Sequence, residues 1–73
     1  MIFNDRLRML RKEKGLTQEQ AAKELSIAYR NYQRLEADGN TPHYSNLVQI
    51  ADYFGVSMDY LAGRTDVREV NRG

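Results

Sequence analysis

Between Leu25 and Ala28 the chain leaves room for a turn of only three or four residues, with a short amphipathic segment on either side. Two helices joined that tightly cannot fold back as an antiparallel hairpin; they must cross at a sharp bend. The first opens at Thr17-Gln18-Glu19-Gln20, where a Thr cap and a Gln three residues on form a capping box, and it carries Ala21, Ala22 and Leu25 on one face. The second spans 28–37, with Tyr32 and Leu35 inward and Tyr29, Arg30, Gln33 and Arg34 outward. Ala22 is small enough for the second helix to cross close by, and Ile27 supplies an apolar anchor just after the turn.

The flanking segments are also helical. Phe3, Leu7 and Leu10 recur at i, i+4 and i+7 and predict a first helix over 3–14, with Asn4 or Asp5 as its cap and Gly15 as its stop. Asp38-Gly39-Asn40-Thr41-Pro42 is the densest run of breakers and predicts the one long loop. Leu47, Ile50, Ala51 and Phe54 predict a fourth helix over 45–54, ended by Gly55. Ser57 caps a short fifth helix, Met58 to Ala62, closed by Gly63. No segment alternates with period two between turn signals, so no sheet is expected. The expected fold is all-α, with five helices in one domain over residues 1–63. Residues 64–73 read as a tail, flexible or ordered by a dimer partner, and no sensing domain is expected after residue 63.

Composition excludes several function classes. The chain has 73 residues, no cysteine and one histidine, His43. Neither a disulfide nor a thiolate metal site can be built, and no Ser/His/Asp or Cys/His set can be assembled. The five glycines stand singly, so there is no phosphate-cradling loop, and Asp52 and Asp59 fall on different helices. No enzyme, cofactor, metal or small-molecule ligand is expected. Met1-Ile2-Phe3 runs straight into Asn4, Asp5 and Arg6, without the apolar stretch of a signal peptide or a membrane span. The expected location is cytoplasmic, in a bacterial or phage setting. Charge is unevenly spread: residues 1–36 hold eight Lys/Arg against five acids, and residues 37–73 three against five. That asymmetry fits a basic face turned to a polyanion, although a plain solvated mix would look the same.

The outward row on the third helix suits one chemistry, although any short amphipathic helix has a solvated face on which Arg30 and Arg34 would stand. Arg pairs bidentately with guanine and Gln with adenine in the major groove. Here the chain resembles a known family. Leu16-Thr17-Gln18-Glu19-Gln20-Ala21-Ala22, Arg34-Leu35-Glu36, Pro42, Leu47, Ile50-Ala51 and Phe54 to Leu61 are similar, without a gap over about residues 3–63, to the xenobiotic-response-element (Cro/repressor) helix-turn-helix family. The resemblance implies a five-helix lambda-repressor-like domain that binds operator DNA, usually as a symmetric dimer, with the third helix in the major groove. It implies base-facing positions at Ala28, Tyr29, Arg30, Gln33 and Arg34, and a phosphate contact at Gln18. Asn31, Asn40, Thr41 and the residues just past Pro42 match backbone-contacting positions, and Arg11 and Glu36 match a buried ion pair.

Some positions depart from the family pattern. Ser26 stands where Gly is usual, in a turn that favours positive φ, and Ala28 replaces the usual Ser or Thr cap of the recognition helix. Ala21 stands where Leu is common and Tyr32 where Ile or Val is common, one losing volume and the other gaining it. Tyr29 is unusual in the base-facing row, so the resemblance does not fix the details of base recognition.

The expected function is a DNA-binding transcriptional regulator, a repressor, acting as a homodimer on double-stranded DNA. The alternatives are an antitoxin or restriction-modification controller with the same domain, and a module that binds a protein regulator in place of DNA. Tyr53, Met58, Tyr60 and Val67, with Val70 beside them, are the expected dimer surface on and near the fifth helix. The tyrosines at 44, 53 and 60 also read as half-buried rings, and His43 as a cap of the fourth helix or a phosphate contact.

Overall fold

A computed structural model describes residues 2–37 and 39–69. It contains five helices and, among the described residues, no strand: α1 (Ile2–Glu13), α2 (Gln18–Glu24), α3 (Tyr29–Glu36), α4 (Tyr44–Phe54) and α5 (Met58–Ala62). Phe3, Leu7 and Leu10 from α1 meet Ala21, Ala22 and Leu25 from α2, Tyr32 and Leu35 from α3, Ile50 and Ala51 from α4, and Leu61 from α5 in one core. Val56 and Tyr60 complete it.

How the helices end explains why they cross as they do. At α2 the amide of Ile27 reaches the carbonyl of Ala22 (2.9 Å) and that of Ser26 reaches Lys23 (3.1 Å), the paired bonds of a Schellman turn. The same pairing closes α1 at Gly15, α4 at Gly55 and α5 at Gly63, three glycines with positive φ. Ser26, at φ 55°, is the one described non-glycine residue with positive φ, so the bend between α2 and α3 carries backbone strain the other turns avoid. Gly63 has a second constraint, since a Cβ there would lie 2.9 Å from the Ile2 side chain.

α3 ends without a left-handed cap, because Ala37 is extended. Its last carbonyls are satisfied by side chains instead. Asn4 Nδ2 donates to Leu35 (2.6 Å), Arg8 donates to Glu36 (2.9 Å), and Asn40 Nδ2 donates to Ala37 (3.2 Å). Orphan carbonyls at a helix end need such partners, and drawing two of them from α1 fixes the end of α3 against α1. Asn4 is therefore not the cap expected from the sequence. The helix already begins at Ile2, and Asn4 turns inward beside Phe3 and Leu7, fully buried.

The 64–69 segment is held to the body. The amide of Ser57 donates to the carbonyl of Arg68 (2.8 Å), Arg6 donates to Thr65 (2.6 Å) and pairs with Asp66 (2.7 Å), and Arg68 pairs with Glu13 (2.8 Å). Beneath it, Tyr60 lies between two guanidinium groups, Arg6 at 4.1 Å and Arg68 at 5.6 Å from the ring centre.

Candidate nucleic-acid interface

The capping box of α2 forms in full: the Gln20 amide donates to Thr17 Oγ1 (3.1 Å), and the Thr17 amide donates to Gln20 Oε1 (2.8 Å). It sets the start of α2, and with it Gln18, beside α3. Ala28 occupies the cap of α3 with no side-chain bond to offer.

From there α3 presents Tyr29, Arg30, Asn31, Gln33 and Arg34 to solvent, with Ala28 exposed at its start. Tyr32 is fully buried and Leu35 nearly so. The only acid on α3 is Glu36, and it is buried, so the exposed face of this helix has donors and two positive charges but no carboxylate.

Two open grooves flank α3. One is bordered by Arg11, Thr17, Gln18, Glu19, Gln20 and Tyr29. The other runs between α3 and α4, past Asn31, Arg34, Asn40, Thr41, His43, Asn46 and Gln49. The second has no acid in its lining. His43 caps α4 by position, but its side chain makes no cap hydrogen bond and borders this groove instead. Asn46 and Gln49 were not among the residues singled out from sequence. Their signal is present, one turn apart and off the Leu47, Ile50, Ala51 stripe of α4. Gln49 Nε2 also donates to the carbonyl of Leu25, tying α4 to the turn before α3.

A buried ion pair underlies the exposed face of α3. Arg11 Nε and Glu36 Oε2 are 2.6 Å apart, and a second bond joins the guanidinium to Oε1 at 3.2 Å. Arg11 also donates to the carbonyl of Leu16 (2.9 Å). Two further donors reach the carboxylate, the Tyr32 hydroxyl at 2.6 Å and Gln18 Nε2 at 3.1 Å. Burial pushes the Glu36 pKa up, but the hydrogen bonds from Arg11, Tyr32 and Gln18 outweigh it and hold the carboxyl below its ordinary value. Burial, and then the Glu36 carboxylate, push the Tyr32 phenol well above its usual range.

The expected dimer residues differ in their exposure. Tyr60 is only 5% exposed and is covered by Arg6 and Arg68, so its ring is not open to a second subunit in this conformation. Tyr53 is half-buried, edge-on to Phe54, with the Lys14 ammonium 5.1 Å from its ring centre. Met58 is partly buried and Val67 exposed; Val70 lies outside the described residues. Tyr44, expected half-buried, is 73% exposed at the first position of α4, one residue ahead of the expected start. Among the described residues no group of His, Asp and Glu could hold a metal ion, and no helix is long and apolar enough to cross a membrane.

The helix-turn-helix family model matches residues 7–61, the stretch from α1 to α5 that builds this face. The chain belongs to the helix-turn-helix family, in its Cro/repressor branch. It is 42% identical over 65 residues to the uncharacterized HTH-type transcriptional regulator YobD of Bacillus subtilis, covering 89% of this chain and 58% of the relative. It is 34% identical over 71 residues to the HTH-type transcriptional regulator ImmR of the same organism, covering 97% and 56%. It is 39% identical over 64 residues to the cryptic phage CTXphi transcriptional repressor RstR of Vibrio cholerae, covering 88% and 57%. The chain thus spans little more than half the length of these helix-turn-helix relatives. No solved structure matches it.

Proposed function

We propose that this chain is the DNA-binding part of a transcriptional repressor, which reads operator DNA as a homodimer with α3 in the major groove. The observation that carries the reading is the acid-free face of α3, with Arg30, Gln33 and Arg34 exposed while its only carboxylate is buried. Arg and Gln are the side chains suited to the guanine and adenine edges. The two flanking grooves would take the phosphate backbones on either side, Gln18 at one and Asn31, Asn40 and Thr41 at the other. The repressor direction is taken from RstR, named a repressor, at 39% identity.

One recognition helix reads too few base pairs to pick out a single genomic site, which favours two copies on a near-palindrome. With Tyr60 covered, the contact we propose lies at the open apolar groove lined by Ile2, Phe3, Pro42, Leu47 and Ala62. Thr41 borders both this groove and the polar one beside α3, so the proposed contact adjoins the proposed DNA-facing surface.

Selection of bound duplexes from a random library tests the function and gives both site and symmetry. A two-fold symmetric motif whose preference relaxes at one or two positions in Arg30→Ala is the expected result. Recovery of no motif would favour a module that binds protein in place of DNA.

A further inference from the structure

We infer that Tyr32 is a positioning residue for the phosphate contact of Gln18, acting through the Glu36 carboxylate; the inference rests on the duplex-binding reading above. A carboxylate offers about four lone-pair sites, and the buried Glu36 has four bonds to fill them. On Oε2 they come from Arg11 Nε and the Tyr32 hydroxyl, both at 2.6 Å. On Oε1 they come from the Arg11 guanidinium at 3.2 Å and Gln18 Nε2 at 3.1 Å. These donors belong to three helices, so the carboxylate is the junction at which α1, α2 and α3 are set against one another.

The phenol decides how that junction is occupied. With Oε2 saturated by Arg11 and Tyr32, the site left for the Gln18 amide is on Oε1. A carboxylate only accepts, so the end of the Gln18 amide that faces it must be nitrogen. Nε2 carries two hydrogens; Glu36 takes one, and the other remains for a phosphate oxygen. An amide with no such anchor turns its oxygen outward as readily as its nitrogen in the free protein, and must be ordered nitrogen-first when it meets a phosphate. An aliphatic residue at 32 would leave Oε2 with Arg11 as its one donor, and the carboxylate, still held by Arg11, would be less firmly fixed against Gln18. Tyr32 itself is fully buried and cannot touch a duplex, so its effect must pass through Glu36.

The test is a double-variant cycle on the whole chain, using Tyr32→Phe, which removes only the hydroxyl, and Gln18→Ala. Affinities are measured for a selected operator and for a random duplex, with the folded fraction fixed by thermal melts. Tyr32→Phe should weaken both duplexes by the same factor, roughly 3- to 10-fold, the size of one hydrogen bond. It should cost nothing further in the Gln18→Ala background. In the free protein, the Gln18 side-chain amide protons should move towards their solvent-exposed NMR positions in Tyr32→Phe. An equal loss in both backgrounds, a loss confined to the operator, or an unmoved Gln18 amide would each overturn the inference. A parent protein that binds duplex no better than Tyr32→Phe overturns this inference alone, whereas one that binds no duplex overturns the duplex reading and this inference with it.

Discussion

Glu36 shows how much a single buried carboxylate can organise. It is 3% exposed and hydrogen-bonded to Arg11, Tyr32 and Gln18, so truncating it strands a guanidinium whose side chain is only 12% exposed. Glu36→Ala should cost about 3–5 kcal/mol, as removing one partner of a buried pair does. For a domain of this length that leaves little or no folded protein, and a denaturant or thermal melt will show it. Titration gives a second prediction. The folded-state pKa of Glu36 lies below its ordinary value of 4.5. Its contribution to stability is therefore fully present above about pH 4.5 and is lost as pH falls through the lower folded-state value. Glu36→Gln, which does not titrate, should flatten the fall in melting temperature on the acid side. An unchanged acid limb would mean that other carboxylates set it.

At the scale of elements, the turn between α2 and α3 contains two residues that work against it. Ser26 holds φ 55° where glycine would be unstrained, and Ala28 caps α3 with no side-chain oxygen. Ser26→Gly should raise stability by about 0.5–1 kcal/mol, the relief of left-handed strain less the added chain entropy. Ala28→Ser should add up to about 1 kcal/mol by supplying the missing cap. Chemical denaturation of each variant checks both, and a loss on Ser26→Gly would show that the turn is not strained.

Much at this scale was legible in the sequence. Glycine spacing, the Thr17 capping box and the 3.6-residue stripes are local signals, and they place all five helices to within a residue or two. What escaped is long-range. Asn4 reads as a cap because Asn is a good one; that it clamps the end of α3 depends on a residue 31 positions away. Tyr60 reads as a half-buried ring open to a dimer partner, because its cover by Arg6 and Arg68 forms only when α1 and the 64–69 segment pack against α5. Gln18 reads as a simple phosphate contact, and its bond to Glu36 emerges only when α2 and α3 are packed.

Over the whole molecule, the distribution of charge matters more than the net value of +1. Arg30 and Arg34 stand exposed on α3 while the one acid of that helix, Glu36, is buried, so a polyanion meets this face favourably. If the apolar groove at Ile2, Pro42 and Ala62 joins two copies, then Ala62→Glu, which places a charge at an exposed position in it, should halve the number of protomers per duplex. Val67→Glu, on the other surface, should leave the ratio at two. Sedimentation with a palindromic duplex distinguishes them, and the reverse pattern would return the contact to the start of α5 and the 64–69 segment.

The most direct measurement is duplex affinity across a salt series, for both a selected operator and a random sequence. Each phosphate neutralised by Lys or Arg adds about −0.9 to the slope of log affinity against log salt. Both duplexes should therefore give steep negative slopes, with affinity falling by orders of magnitude from low to high salt and the operator tighter throughout. A flat response for both would contradict DNA binding by this chain.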